Sequence, residues 1–405
     1  MLLVSLALRL PLASYCCCSY RMMNFNNNGF NLIIFLEGQI NSYNADNVEK
    51  EIISIVENEQ FKKLLLDFSD VSYISSAGLR IILKLKQKFN NVSVINTSLE
   101  VYDVFSMTGF VNIMEVKKAL RRVFISGAEM IGSGYYSSVY RINKDTIIKV
   151  FNFVDDEEQI ARELRLAKEA FILGIPTAIS FDIVRVDNKL GVCFEMLDCD
   201  SLQNVVIKNP DKLGEYVIKY ANLLKKMNNT ECHSEIVPSI KDRYFSKLEA
   251  IKDRLPEDLF NKASHLLKAV PDTHTLVHGD CHFKNIMVQG DDLLLIDMET
   301  LSVGHPIFEL AGLYSAYIGF NEYNPEESMD FFGISSESAR NLFDALMKKY
   351  FANYNDEIKD KISLVSYISV YKWYCNRPEY TNEMMKYKEK LIDLLNKYND
   401  LDIGI

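Results

Sequence analysis

One stretch of the chain, LVHGDCHFKNIMV at residues 276–288, restricts the choice of fold more than any other feature. It places Asp280 and Asn285 five residues apart, and the strongly apolar run DDLLLIDMET follows, with Asp297 near its end. Carboxylate and amide oxygens are the ligands that Mg²⁺ prefers, and a further carboxylate can accept the proton of an attacking hydroxyl. The spacing therefore predicts a loop and a buried strand that bring these three side chains to one site.

A glycine-bearing segment and a strand lysine precede this stretch. The sequence IGSGYYSSVYRI carries Gly132, Gly134 and Ser137 between apolar residues. Glycines allow a strand–turn–strand to approach phosphate groups closely enough for backbone N–H groups to bind them. In the next apolar strand, DTIIKVF, Lys149 either reaches the surface or has an anionic partner. These residues are candidates for binding a nucleotide.

A helix and a further strand supply the remaining nucleotide candidates. The helix predicted over DEEQIARELRLAKEAFILGIP holds Glu163 and Glu169, and either can pair with Lys149 to orient phosphates. The spacing between Glu163 and Pro176, the proline that ends this segment, favours Glu163 over Glu169. The strand GVCFEMLDCDSL reaches Glu195 and Met196, whose backbone can bind an adenine edge, although a buried strand leading into a helix has the same pattern.

In their order along the chain, these motifs resemble the aminoglycoside phosphotransferase and choline kinase branch of the kinase-like fold. The motifs are the glycine loop, the strand lysine, the helix glutamate, FEM, HGDCHFKN and LLLIDMET, and the resemblance covers essentially all of residues 128–390. It implies a two-lobed fold that binds ATP and Mg²⁺ and transfers the γ-phosphoryl group to a hydroxyl of a small molecule. It also implies that Asp280 and Asn285 are catalytic, and that Asn285 and Asp297 hold the metal.

The same resemblance assigns supporting roles near the loop and in the last helices. His278 is implied to hold the loop by hydrogen bonds, and His282 either lies near the site or packs the loop. Nothing in the sequence explains Lys284. The helical C-terminal region is implied to close the acceptor pocket, and three of its residues either line that pocket or belong to the core: Trp373, Tyr374 and Arg377.

The N-terminal part of the chain alternates strand and helix patterns. FNLIIFLEGQI and KKLLLDFSDVSYI are predicted strands, and NADNVEKEIISIVEN and SSAGLRIILKLKQKF are predicted helices. Because strands that alternate with helices are typical of layered α/β structures, this part is expected to form an α/β sandwich.

Three segments of this part, LEGQI, LLLDFSDVSYISSAGLRIIL and VFSMTGF, resemble STAS domains, the family of bacterial anti-sigma factor antagonists, in order and spacing. In that family a serine two residues before the glycine is phosphorylated, which corresponds here to Ser76 before Gly78. A phosphate in the first turn of a helix is stabilised by unpaired N–H groups. Alternatively, Ser75 or Ser76 only caps the helix, and Ser75 stands where the best-known members carry an aspartate.

Composition and the first residues limit the partners and the compartment. A net charge of −10 argues against a nucleic-acid partner. Eight cysteines without metal-ligand spacing are typical of reduced thiols in a cytoplasmic protein. No stretch is long and apolar enough for a membrane span. The opening apolar run lacks a basic region and a cleavage site, so residues 1–23 are expected to be a disordered leader or a mispredicted start.

Together these patterns predict an α/β STAS sandwich followed by a two-lobed α+β protein-kinase-like fold with a helical C-lobe. The expected divisions are a leader at 1–23, a STAS domain at 24–126, an N-lobe at 127–200 and a C-lobe at 201–405.

The predicted function is an ATP-dependent phosphotransferase of the aminoglycoside phosphotransferase/choline kinase type. It acts on a small-molecule hydroxyl, is regulated by its STAS domain, and binds a protein partner through that domain. The alternative is a STAS-based signalling switch, in which the kinase unit phosphorylates Ser76 or a partner protein, or only senses ATP.

Overall fold

The computed structural model describes residues 22–134, 137–154 and 156–405. The chain divides into two compact units after Arg121, compared with a division after residue 126 in the sequence prediction. The predicted leader lies outside the described residues except for Met22 and Met23, which begin the first strand. Among the described helices, none is long and apolar enough to cross a membrane.

The first unit is a five-stranded sheet with three helices. Its elements are β1 (Met22–Asn27), β2 (Asn31–Ile40), α1 (Ala45–Asn58), β3 (Lys63–Ile74), α2 (Ser76–Lys88), β4 (Val92–Thr97), α3 (Leu99–Met107) and β5 (Glu115–Lys118). The strands lie in the order β1-β2-β3-β4-β5. β1 is antiparallel to β2, and the other neighbours are parallel.

Parallel neighbours explain why helices alternate with strands in this unit. A parallel pair needs a crossover connection, and α1, α2 and α3 provide one between each successive pair. The apolar residues of α1 recur at helical spacing, and Val48, Ile52 and Val56 are all buried. They join the buried residues of the central strands, such as Leu64 and Leu66, in one core. The α/β fold predicted for this part is confirmed.

The second unit begins with a six-stranded sheet and one helix, which form its N-lobe. The elements are β6 (Arg121–Val123), β7 (Glu129–Ser133), β8 (Ser137–Arg141), β9 (Thr146–Phe151), α4 (Glu157–Ile172), β10 (Ser180–Val186) and β11 (Lys189–Glu195). The strands lie in the order β6-β10-β11-β9-β8-β7, so β9 is an interior strand with β8 on one side and β11 on the other.

The rest of the second unit is mainly helical and forms the C-lobe. Its helices are α5 (Leu202–Lys208), α6 (Leu213–Asn228), α7 (Ile240–Glu249), α8 (Glu257–Ala269), α9 (Ile307–Tyr317), α10 (Glu326–Phe332), α11 (Ser336–Tyr350), α12 (Asp356–Cys375) and α13 (Thr381–Lys397). Its short strands are β12 (Asp200–Ser201), β13 (Leu276–Val277), β14 (Ile286–Gln289), β15 (Asp292–Leu295) and β16 (Ser302–Val303). The predicted two-lobed fold with a helical C-lobe is confirmed.

Two small antiparallel sheets in the C-lobe position the segment between β13 and β16. β13 pairs with β16, and β14 and β15 form a hairpin on which β12 adds a third strand. The hairpin strands bury Ile286 and Leu295, and both residues belong to the large core that α9 and α12 also enter. The loops at the ends of these strands are therefore held against a rigid core.

Candidate active site

Lys149 lies at the centre of the N-lobe sheet. It is opposite Val139 of β8 on one side and Val192 of β11 on the other. Both of its neighbouring strands hold the backbone in place, so only the side chain is left to reach out of the sheet. A lysine in this setting needs a nearby anion or solvent for its ammonium group.

The Lys149 ammonium joins the N-lobe to the C-lobe through two carboxylates. Its Nζ lies 2.9 Å from Glu163 Oε1 on α4 and 2.7 Å from Asp297 Oδ1 after β15. Burial acts to lower the pKa of Lys149, but the charges of Glu163 and Asp297 outweigh it, so the pKa is raised. The ammonium is therefore charged at any physiological pH. The partner on α4 is Glu163 and not the other sequence candidate, Glu169.

Asp297 has an unusual backbone conformation that follows from the hairpin before it. Its φ is +68°, in the left-handed region that non-glycine residues rarely adopt. The backbone N–H of Ile296 donates to the Asn285 carbonyl at 3.0 Å, so Asn285 and Asp297 leave the same end of the hairpin. Such a conformation costs about 1–3 kcal/mol and persists only where the surroundings hold it. Here β14, β15 and the Lys149 ion pair do so.

Asp280 and Asn285 lie together in the loop between β13 and β14. The Asn285 Nδ2 donates to the Asp280 carbonyl at 3.0 Å and to its carboxylate Oδ2 at 3.1 Å. The Asp280 side chain is 49% exposed and lines a cavity of the C-lobe. The loss of bulk solvation is the main reason that its pKa rises to about 6, and the charge of Asp297 adds to it. A carboxylate of this kind is mostly ionised at neutral pH and can accept a proton there.

Two buried side chains, those of Glu309 and His278, support the backbone of this loop. The buried carboxylate of Glu309 on α9 accepts hydrogen bonds from the N–H groups of His278 and Gly279. His278 is fully buried, its Nδ1 accepts from the Asp280 N–H, and its Nε2 contacts the Ile296 carbonyl at 3.1 Å. Sequence reasoning found His278 and missed Glu309, which lies in a helix with no motif around it. The only signal was a carboxylate in an otherwise apolar helix.

His282 and Lys284 pack the loop against α10. His282 is buried, and its ring contacts the edges of Phe331 and Phe332. Lys284 places its ammonium 4.0 Å from the centre of the Phe331 ring and donates to the Phe331 carbonyl. The lysine that the sequence left unexplained is therefore an anchor between the loop and α10.

Of the two predicted glycines, one lies near the end of β7 and the other directly after it. Gly132 lies in β7, and the N–H of Gly134 donates to the Ser137 carbonyl at 2.8 Å. Residues 135 and 136 are outside the described residues. β8 begins at Ser137 and pairs with β9, the strand that holds Lys149. The two glycines and the lysine therefore lie close to neighbouring strands of one sheet.

The segment predicted to bind an adenine edge uses two of its donors elsewhere. The Glu195 N–H donates to the Ile179 carbonyl, and the Met196 N–H donates to the Asp145 carbonyl, both at 2.9 Å. The Glu195 carboxylate also accepts from the Ile179 N–H. Both N–H groups are therefore hydrogen-bonded within the protein, and binding of an adenine edge by this segment stays a prediction.

Asn285 and Asp297 fit the demands of a magnesium ion. Because the Asn285 Nδ2 donates to Asp280, the amide oxygen remains available as a ligand. The Asp297 side chain is 36% exposed, and one of its oxygens contacts Lys149. No group of three or more His, Cys, Asp or Glu in the part of the chain that the structure describes could hold a metal by itself. The pair therefore suits an ion that is bound partly by phosphate oxygens, as Mg²⁺ usually is.

A cavity of about 250 Å³ opens beside Asp280 between α7, α9 and α12. Of the aromatic candidates in the last helices, Trp373 lines this cavity, whereas Tyr374 is fully buried in the core. Arg377 stacks on the Trp373 ring with its guanidinium carbon 3.5 Å from the ring centre. Sequence reasoning missed three further lining residues, which lie on helices without a motif: Arg243, Lys247 and Lys372.

In the first unit, Ser75 and Ser76 have different positions at the start of α2. Ser75 precedes the helix, and its hydroxyl accepts from the Gly78 N–H at 3.4 Å. Ser76 is the first helical residue and is exposed. Ser75 is therefore the cap, and the Ser76 hydroxyl is accessible to solvent.

Comparison with known proteins identifies both units. The STAS domain model matches residues 22–123. The chain is 35% identical over 89 residues to the protein named "Putative anti-sigma factor antagonist BtrV" of Bordetella bronchiseptica, covering 21% of this chain and 76% of that protein. It is 30% identical over 88 residues to the anti-sigma-B factor antagonist of Listeria monocytogenes, with the same coverage of each chain. The predicted STAS domain is confirmed.

The second unit matches a family of phosphotransferases. Among solved structures, the GDP complex of wild-type aminoglycoside 2'-phosphotransferase-IIIa is similar, with 15% identity, a TM-score of 0.44, and coverage of 73% of this chain and 98% of that one. The model of the phosphotransferase enzyme family APH matches residues 127–333, about half of the chain. The chain therefore belongs to the phosphotransferase enzyme family, and it carries a STAS domain in front of the phosphotransferase unit.

Proposed function

We propose that the second unit transfers the γ-phosphoryl group of ATP to a hydroxyl of a small molecule. The observation that carries this proposal is the position of Lys149, which lies between Glu163 and Asp297. It is supported by Asp280 and Asn285, which are hydrogen-bonded to each other at the end of the β14–β15 hairpin where Asp297 also lies. Together these groups provide a cation for phosphates, oxygens for a metal and a base for a hydroxyl.

Each charged residue has a distinct task in this function. Lys149, oriented by Glu163, binds the phosphates of the nucleotide, and the glycines Gly132 and Gly134 let the end of β7 approach the phosphates closely. Asn285 and Asp297 hold Mg²⁺, which neutralises charge on the phosphate oxygens when it is bound. Because Lys149 already contacts Asp297 directly, a nucleotide entering here meets a positive group and metal ligands at one place.

Asp280 acts on the acceptor. Its carboxylate orients the acceptor hydroxyl and takes its proton as the hydroxyl oxygen forms a bond to the γ-phosphorus. The bond from that phosphorus to the bridging oxygen breaks, and the electron pair leaves with ADP. The proton then passes from Asp280 to solvent. A pKa of about 6 suits this task, since the carboxylate is ionised at pH 7 and returns the proton easily.

ADP release tests the proposal directly. The purified protein is incubated with Mg²⁺, ATP and a set of small hydroxyl compounds, and the Asp280→Asn variant is measured beside it. We expect acceptor-dependent ADP formation by the natural protein and a loss of about 10²–10⁴-fold in the variant, the usual contribution of a general base. Equal turnover by the two proteins would show that Asp280 is not the general base of the reaction.

A second function rests on the exposed hydroxyl of Ser76 at the start of α2. In this reading the STAS domain binds a protein partner and is controlled by phosphorylation of Ser76, or the phosphotransferase unit only senses ATP. A phosphate at this position would lie beside the unpaired N–H groups of the first helical turn. Intact-mass measurement after incubation with ATP, with Ser76→Ala as the control, detects self-modification. Binding of ATP without any turnover would favour the sensor.

A further inference from the structure

The cavity beside Asp280 lies between α7, α9 and α12, and its charged helical residues come from α7 and α12. On α7 the lining residues recur every three or four positions, which places them in one stripe: Ile240, Arg243, Tyr244 and Lys247. On α12 Ser369, Lys372 and Trp373 form a similar stripe. Among the described residues of the lining, Asp280 is the only one with a carboxylate. Lys149, Glu163 and Asp297 do not belong to it, so this cavity is distinct from the place where the proposed nucleotide phosphates bind.

Three cations on this lining lack carboxylate partners. Among the residues that the structure describes, Arg243, Lys247 and Lys372 form no ion pair within 4.0 Å. Two of them donate hydrogen bonds to neutral groups: Lys247 donates to the Ser369 hydroxyl at 2.9 Å, and Arg243 donates to the Thr300 carbonyl at 3.2 Å. Most other lysines of this unit that are similarly enclosed, such as Lys149 and Lys361, have carboxylates beside them.

The cations also repel one another. Arg243 and Lys247 are four residues apart on one helix, where like charges are destabilising. Burial, followed by the charges of Arg243 and Lys372, lowers the pKa of Lys247 to about 8. This happens in a chain whose net charge is −10, so the positive cavity is a local feature. A bound anion would relieve the repulsion and satisfy the remaining ammonium donors.

We propose that the acceptor of the phosphoryl group is a small hydroxyl compound that carries a carboxylate or phosphate group, bound in this cavity by Lys247, Lys372 and Arg243. The inference rests on the proposed function, and it names the substrate class of the same site. The anionic group lies between α7 and α12, and the hydroxyl faces Asp280. The volume of about 250 Å³ is below the range of about 300–1,000 Å³ that is usual for drug-sized ligands, which favours a compact acceptor.

Matched acceptors that differ in charge test the proposal. One series is glycerol, glycerate, glycerol 3-phosphate and choline, and a second is glucose, gluconate, glucose 6-phosphate and glucosamine. We expect ADP formation with an anionic member and at least tenfold less with its neutral and cationic counterparts. Comparison of glycerate and gluconate with the two phosphate esters shows whether the site recognises a carboxylate or a phosphate. Turnover only with neutral or cationic members would overturn the proposal.

Variants show whether the cavity lysines cause the preference. Lys372→Ala is expected to raise the KM of the anionic acceptor at least tenfold and to change the KM of ATP by less than twofold, and Lys372→Arg is expected to restore most of the affinity. Lys348→Ala is the control. Lys348 is exposed on α11, so this substitution removes the same charge outside the cavity. An equal rise in the KM of ATP would mean that Lys372 serves the nucleotide, which contradicts the proposal.

A binding measurement separates this proposal from the proposed function. Trp373 is the only tryptophan of the chain and lines the cavity. Calorimetric titration with glycerate, glycerol 3-phosphate and pyrophosphate, read together with Trp373 fluorescence and without ATP, needs no catalysis. Saturable binding that Lys372→Ala weakens at least tenfold supports an anion site even if no phosphoryl transfer is found. No saturable binding of any of the three up to 10 mM would refute it.

Discussion

Removal of the Lys149 ammonium is the perturbation that probes the site most sharply. The Lys149→Met variant keeps most of the apolar stem and leaves two carboxylates facing the space that the ammonium filled. Glu163 is only 9% exposed at its side chain, whereas Asp297 is 36% exposed. Asp297 can therefore turn to water, and most of the cost falls on Glu163.

The size of the effect follows from these exposures. Breaking a fully buried ion pair by removing one partner costs about 3–5 kcal/mol. Because Asp297 is partly solvated and Glu163 can take up a proton, we predict that the free energy of unfolding falls by about 2–4 kcal/mol at pH 7.5. Burial raises the pKa of Glu163, and without Lys149 no cation opposes that shift, so the stability deficit of the variant grows as the pH rises above the usual pKa of a glutamate.

Urea denaturation followed by circular dichroism and Trp373 fluorescence measures this change. A double-mutant cycle with Glu163→Gln isolates the pair, and we expect a coupling energy of about 1–3 kcal/mol. Lys144→Met is the matched control in the same lobe, since Lys144 is 89% exposed and should cost less than about 0.5 kcal/mol. If the effects of Lys149→Met and Glu163→Gln simply add, the interpretation of Lys149 as a buried ion-pair centre is wrong.

Three further predictions concern the loop and the first unit. The kcat/KM should rise with pH with a midpoint near 6, because Asp280 must lose its proton to act as the base, and a pH profile without this limb would contradict that role. Gly279→Ala should lower the melting temperature and the kcat together, since φ is +81° and the new Cβ would lie 3.1 Å from a backbone carbonyl; unchanged values would show that the loop is not rigid. Ser75→Ala should cost the first unit about 1 kcal/mol in a thermal melt by losing the helix cap, whereas Ser76→Ala should be neutral; equal effects would refute the assignment of the cap.

The sequence predicted the fold class of both units because local patterns are strong there. Alternating strands and helices require parallel pairing in the first unit, and the sheet shows it. In the second unit, the motif spacing brought Asp280 and Asn285 into contact, and the helical position of Glu163 put it beside Lys149. These contacts follow from short-range geometry, since a loop of fixed length or one helix face determines each of them.

Contacts between distant segments could not be predicted in the same way. Asp145, which lies just before β9, occupies the Met196 N–H, and no pattern around Met196 indicates it. Lys247 and Lys372 meet at one cavity only because α7 and α12 pack with particular faces together. A single sequence does not determine such helix orientations, and lysines on amphipathic helices are usually solvated. The charge of this cavity therefore emerged only from the structure.

The most direct test of the central claim follows the γ-phosphate itself. The protein is incubated with Mg²⁺, γ-labelled ATP and a metabolite extract filtered to remove macromolecules, and the label in the protein is separated from the label in small molecules. We predict new labelled small molecules with the natural protein, none with Asp280→Asn, and equal ATP binding by both proteins. Label found only on the protein, or an equal yield of labelled products from Asp280→Asn, would contradict the claim that this chain is a small-molecule phosphotransferase that uses Asp280.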